Sequence, residues 1–565
     1  MVSFGRISRT LAVRDREGNQ VDGWKNPDLI PLPPSRRTWV DLDFVGLWST
    51  SFVTIFGWQA ISSILSLGLN VWQAFLCNLI AKLIQVGVVL SLGWIGGQWH
   101  IGFTVSSRFT FGIWGSFLPI IIRVLLCCVW YGVQSFTGGM LVSAVLSTIF
   151  PSYQHMKNTL PASAAMTTKQ FVGFVVYNII AIPFLYVPPH KLRTPFKVCM
   201  TISALTIFSM SVGLMAAAHG AGDLVHTGVS VSGGSQLGWG WVHGITTVIG
   251  SGVVGMTSQS DFNRFARRPG NQVFGQTFAV LFFGNLVPLF GLLGTSAAGK
   301  LYGDITELGL WNPPAIVDVW LSTSYHSPKM RAASFFTSFG LLCSTLALNT
   351  VENGISGGMD FAGLLPRYFN IRRGSYAIAI IGILIQPWQI VSKASVFTAV
   401  LSSFGVILGP LIGVFTADFF IVRKRRVKLS DLYNPSPDSI YWFWHGFNWR
   451  AFVAWFLGFA PFVPGIASVN PANDGKLPIG LIQTFYTGFL TGYVIAFAIH
   501  VLLNRISPPF AQYEIDEYDV FDSFEPDEAA KIGMLKIGDT RGEDVPGFTM
   551  TTDERKEPLH SWSRA

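Results

Sequence analysis

Apolar stretches about as long as a bilayer is thick recur along this chain from residue 44 to residue 503. That recurrence restricts the possible folds more than any single motif. About 20 apolar residues cross the hydrocarbon core as a helix, and backbone groups there must be satisfied within the segment. Twelve spans are predicted, at about 44–69, 71–95, 116–147, 170–188, 196–218, 239–260, 273–298, 332–357, 375–393, 396–421, 451–469 and 481–503. Only 12% of the residues are charged, about half the share in a soluble domain. The expectation is an all-α polytopic membrane protein with an N-terminal tail, 1–42, a twelve-helix membrane domain, 43–505, and an acidic C-terminal tail, 506–565.

Basic residues set the orientation. They cluster in every second loop, at Lys191, Arg193 and Lys197, at Arg264, Arg267 and Arg268, at Arg367, Arg372 and Arg373, and from Arg423 to Lys428. The intervening loops carry isolated lysines such as Lys157, Lys300 and Lys476. With an even number of spans, both termini are expected in the cytoplasm. The arginine clusters then face anionic lipid or gate the inner face. The net charge of +8 is spread over these short loops, so no nucleic-acid partner is expected. The segment from Asn26 to Trp39 either packs on the inner face or runs free. The C-terminal tail carries Glu514, Asp516, Glu517, Asp519, Asp522, Glu525, Asp527 and Glu528. It is expected to be solvated and largely without fixed structure, and both tails are candidate contacts for trafficking or ubiquitination machinery. The basic, polar N-terminus predicts no cleavable signal. The five cysteines sit in apolar runs without metal-ligand spacing, so neither a metal nor a disulfide is expected.

Polar groups inside the spans are the candidate site. Trp130 and Gln134 share one helix face, and so do Asn349 and Asn353, each pair being four residues apart. An amide facing hydrocarbon costs several kcal/mol, roughly, unless it finds a partner. These amides are therefore expected to face the interior. Glu352 lies between the asparagines, about 100° around the helix from Asn353. It is a candidate proton carrier or a packing hydrogen bond. Asp261 and Asp360 are read as structural, with Asp360 pairing with Arg367 or Arg372; Asp418 is expected to pair with the Arg423–Arg426 cluster. Glycines and hydroxyls from Gly250 to Ser260 predict a broken sixth helix. Ser49, Thr50, Ser51, Thr54, Gly57, Gln59, Ser62 and Ser63 predict the matching break in the first. Close helix packing is the alternative reading of the same small residues.

Several stretches together resemble the nucleobase:cation symporter-1 transporters, in the fungal uracil/allantoin/uridine/thiamine-permease branch. They are Asn26–Trp39, Ser107–Gly115, Trp130–Gln134, Gln259–Pro269, Gly358–Tyr368 with Ile371–Gly374, and Gly446–Ala451. The resemblance implies a LeuT-like fold, a 5+5 inverted repeat plus two C-terminal helices. It also implies a substrate site near the midplane and cation-coupled uptake at the plasma membrane. The coupling ion expected is a proton rather than sodium, with no other cofactor. Ser338, Ser344 and Thr345 give only a faint sodium-site signal. By resemblance, Trp130 stacks on a flat heterocycle, Gln134 and Asn353 read its carbonyl and N–H edges, and Gln59 adds a polar contact from the first helix. Asn349 is expected to support Asn353. Bacterial members add an aromatic from the sixth helix, but no aromatic lies between Trp241 and Phe262, leaving the wall opposite Trp130 unassigned. Met166–Lys169, His219–Leu224 and Gly358–Arg367 also resemble the thiamine and nicotinamide riboside permeases, whereas Trp130 and Gln134 lean toward nucleobases. No metal cluster, nucleophile elbow or nucleotide loop supports an enzyme, and the predicted breaks argue against a passive receptor.

Overall fold

In the computed structural model, the described residues are 28–535, apart from 188, 229–232, 471, 472 and 474, together with residues 13 and 24. Most of the N-terminal tail and residues 536–565 lie outside the described residues, as do Asn26 and Pro27 of the first motif.

The main helices are α1 (Asp41–Phe52), α2 (Ile55–Leu67), α3 (Val71–Trp99), α4 (Phe117–Ile149), α5 (Thr168–Tyr186), α6 (Thr194–Ala217), α7 (Gly234–Thr257), α8 (Gln259–Asn263), α9 (Gln272–Tyr302), α10 (Pro328–Leu364), α11 (Ile371–Leu384), α12 (Ala394–Val422), α13 (Trp449–Val469) and α14 (Gly488–Ile506). Among the described residues nine helices are long and apolar enough to cross a membrane, and the bent pair α1–α2 makes a tenth. The other two predicted spans, 239–260 and 375–393, correspond to α7 and α11. Helix α7 carries too many glycines, hydroxyls and indoles to reach the same hydropathy. Helix α11 has 14 residues, about 21 Å of rise against about 30 Å of hydrocarbon. The count of twelve therefore does not follow from length and composition alone.

Local chemistry explains the first break. Helix α1 starts with Asp43 accepting from the Val40 N–H (3.1 Å) and ends at Phe52. Thr54 is extended, and its hydroxyl accepts from the Gly57 N–H (3.3 Å), capping α2. The two halves meet at 56°. A Cβ on Gly57 would lie 2.8 Å from the Phe52 carbonyl oxygen, so a larger residue would not permit this turn.

The sixth helix breaks at the far end of the Gly250–Ser260 stretch and not at its glycines. Helix α7 runs unbroken through Gly250, Gly252 and Gly255 and stops only at Ser258, ahead of the five-residue α8. Gly250 instead permits close packing, since its Cβ would sit 2.1 Å from the Leu401 carbonyl oxygen of α12. A different irregularity, unforeseen in sequence, interrupts α10: residues Asn349–Ile355 form a π-helical turn, a local widening common at functional sites.

Helix α3 packs on α7 and α9, α9 also packs on α1, and α4 packs on α5, α10 and α11. Helix α12 joins α7 to α14. Phe274, Phe278 and Phe282 form an exposed stripe along one face of α9, as a lipid-facing surface requires.

The chain segments at the end bearing Arg264 and Arg423 are tightly fitted. Residues 28–39 pack there: Leu29 and Leu32 are buried, Tyr433 donates to the Leu29 carbonyl (2.9 Å) and Arg264 to that of Asp28 (2.9 Å). The acidic segment after α14 is folded as far as residue 535, contrary to the expectation of a solvated tail. Asp519 accepts from the N–H groups of Ser523 and Phe524. Phe524 is buried against Trp99 and His100. Glu528, on the short helix Pro526–Ile532, pairs with Arg37 at 2.8 Å. Arg37 also donates to His100 Nε2 (2.6 Å), and burial beside that guanidinium holds the imidazole well below its usual pKa, so it accepts as a neutral ring. Composition hides this packing because its acids serve as caps and ion-pair partners rather than solvated charge.

Candidate substrate site

A cavity of about 1050 Å³, including its opening to solvent, lies where the α1–α2 break, α3, α4, α7–α8 and the π-turn of α10 converge. Its lining contains Trp130, Gln134, Glu352 and Asn353. Two helix faces proposed independently from sequence thus open on the same space.

Trp130 is 6% exposed. Its ring is supported edge-on by Phe56 (4.7 Å, 76°) and by Phe404 (5.6 Å, 69°), which fixes the indole plane. Gln134 is 1% exposed and makes no hydrogen bond among the described residues; its Oε1 is buried and unpaired. A buried amide in that state is costly, and in a cavity wall it is a group awaiting a ligand or water. Asn353 Nδ2 donates to Asn349 Oδ1 (3.0 Å). Asn349 lies outside the lining and donates to the Tyr131 carbonyl (3.3 Å) and to Ser135 Oγ (3.1 Å). It therefore orients Asn353 from behind. Glu352 and Asn353, neighbours on the π-turn, both line this cavity.

Glu352 accepts a hydrogen bond from Ser51, tying the last turn of α1 to the eighth predicted span. Gln59 is not brought to the cavity. It donates to Asn312 (2.8 Å) and is fully buried elsewhere, because the bend after Thr54 turns that face of α2 away. On the sixth span the lining consists of Val248, Ser251, Gly252, Val254, Gly255 and Ser258, so that wall carries backbone, hydroxyls and aliphatic groups but no ring. The remaining aromatics, Trp48, Phe52 and Phe56, come from the first span, with Phe262 from α8.

Sequence reasoning misses Lys82. It lies on α3, is 5% exposed and lines the cavity. Its Nζ donates to Gln85 Oε1 (2.9 Å) and sits 4.6 Å from the Phe52 ring centroid. The signal was available, since a lysine within an apolar span is itself a pointer to function.

Just inward, Arg123 is fully buried between two acids, at 2.9 Å from Asp261 and 2.9 Å from Asp360. Asp360 thus pairs with Arg123 and not with Arg367 or Arg372, because it points into the protein, where Arg123 of α4 lies beside it. Asp418 pairs with Arg423 at 2.9 Å and also meets His500.

The family described as "Permease for cytosine/purines, uracil, thiamine, allantoin" matches residues 31–495. Transporter aclS of Aspergillus oryzae is 38% identical, covering 91% of this chain and 91% of the relative. The thiamine transporter THI72 of Saccharomyces cerevisiae is 35% identical, covering 97% and 91%. Among solved structures, the inward-facing conformation of Mhp1 matches with a TM-score of 0.68 at 22% identity, over 88% of this chain and 97% of that one. That match concerns the fold, and it carries the LeuT-like architecture.

Proposed function

The chain belongs to the permease family for cytosine/purines, uracil, thiamine and allantoin, and on that premise we propose that it is a proton-coupled symporter of a small planar nitrogen heterocycle such as uracil, allantoin or a nucleoside. It is a polytopic transporter of small molecules, not an enzyme. The proposal extends to uptake across the plasma membrane with both termini in the cytoplasm, where the ends of the chain are open to trafficking or ubiquitination machinery.

One observation carries the substrate class. A fixed indole, an unpaired amide and a second, oriented amide border one cavity. An indole covers a π face, and amides match a rim that alternates donors and acceptors. Cells expressing the chain should accumulate at least one tritiated heterocycle from a panel of uracil, uridine, allantoin and thiamine, saturably and above equilibrium. Asn353→Ala should raise KM roughly 10- to 100-fold, the weight of one or two buried hydrogen bonds at about 1–3 kcal/mol. Unchanged KM removes Asn353 from the site.

Glu352 is the proposed proton carrier. It is the one carboxylate in the lining, and its bond to Ser51 couples its state to α1. Glu352→Gln, which mimics the protonated form, should abolish the pH dependence of uptake while leaving exchange of internal for external solute in place. Uptake that still rises and falls with pH in this variant rules the role out.

A thiamine or nicotinamide riboside permease is the second reading. It is favoured by the 35% identity to a thiamine transporter and by the carboxylate in the cavity wall, a counter-charge for a cationic ring.

A further inference from the structure

Lys82 is built into the cavity rather than lost within it. Gln85 Nε2 donates to the Val248 carbonyl of α7 (3.1 Å), which leaves its Oε1 aimed at the ammonium (2.9 Å). The alkyl stem crosses Gly284 of α9, where a Cβ would sit 3.2 Å from both Cδ and Cε. The Phe52 ring covers another side of the head at 4.6 Å. An ammonium has three donors, and one hydrogen bond is recorded among the described residues. No carboxylate pairs with it there: Glu352, in the same lining, is engaged by Ser51. The cavity therefore presents the oriented head of Lys82 with N–H donors to spare.

We propose that Lys82 is a specificity residue of this cavity, donating to a carbonyl or similar acceptor oxygen on the rim of the solute and excluding solutes that carry a fixed positive charge. The proposal rests on the transport reading above and narrows it to neutral, carbonyl-bearing heterocycles. Two physical effects support it. A charge-assisted N–H···O bond to a carbonyl is stronger than a neutral one. A second cation in an enclosed, poorly solvated space is repelled with little screening. A wall that attracts one class and repels the other discriminates more sharply than attraction alone.

The test uses cells expressing the full chain, with surface amount read from a fluorescent tag. The labelled solute is whichever of tritiated uracil, uridine or allantoin accumulates. On the unaltered chain, unlabelled neutral members of the panel should compete, and thiamine and nicotinamide riboside at equal concentration should not. Lys82→Met should raise KM about 10-fold or more, equivalent to about 1.4 kcal/mol, and should let thiamine compete; Lys82→Arg should stay within about 3-fold. Competition by thiamine on the unaltered chain as strong as that by the labelled solute overturns the proposal. So does a Lys82→Met KM within about twofold of the original. The competition profile needs no variant, so it decides even if Lys82→Met fails to reach the surface. Preferential uptake of thiamine sinks the assignment to Lys82 while leaving a transporter in place; no saturable uptake of any panel member sinks both.

Discussion

Arg123→Ala should leave almost no folded protein at the membrane. The guanidinium is fully buried, bonded to Asp261 (2.9 Å), Asp360 (3.0 Å) and the Thr257 carbonyl (3.2 Å), and it lies 4.2 Å from the Phe103 ring centroid. Removing it leaves two buried carboxylates facing each other without a cation. Breaking a single buried pair costs about 3–5 kcal/mol, a large part of a typical total stability of about 5–15 kcal/mol. Arg123, Asp261 and Asp360 sit on α4, α8 and α10, all of which border the cavity, so the site is lost with the fold. Surface fluorescence and the unfolding temperature in detergent read the effect. The variant Arg123→Met with Asp261→Asn and Asp360→Asn removes every charge together and should recover much of the lost surface signal. An Arg123→Ala protein that reaches the surface and melts like the original refutes the structural role of the triad.

The second large effect separates folding from transport. A Cβ on Gly255 meets nothing within 4 Å, and Gly255 lines the cavity. Gly255→Phe therefore places a ring in the space assigned to the solute, without a clash in the core. Replacing a helical glycine also adds to helix propensity, by up to about 1 kcal/mol. Surface amount and melting temperature should stay unchanged, while uptake falls roughly 100-fold or more, corresponding to at least about 3 kcal/mol against solute entry. Gly255→Ala should remain active. Normal uptake by the phenylalanine variant moves the solute site elsewhere.

The contrast between these positions shows what is legible along a chain. Trp130, Gln134 and Asn353 could be picked out because a polar or indole group at helical spacing in an apolar run is conspicuous. Gln59 was equally conspicuous, yet it faces Asn312, because the direction of a side chain beyond a 56° bend depends on the cap that makes the bend. Gly250 and Gly255 look alike in sequence, and one packs against Leu401 while the other opens on the cavity. The pairing of Asp360 with Arg123 joins residues 237 positions apart, and nearer arginines were the natural expectation from sequence alone.

The sequence by itself determined the all-helical membrane architecture, the family and the short set of interior polar residues, since hydrocarbon tolerates few alternatives for an apolar run or a buried amide. Only the tertiary structure decided which polar groups share one cavity. It also decided that Glu352 and Asn353, on one π-turn, both line that cavity, that Lys82 lies in its wall, and that the acidic segment after α14 packs through Glu528 onto Arg37. Those outcomes depend on the relative placement of helices far apart in the chain, and local propensity does not encode that placement.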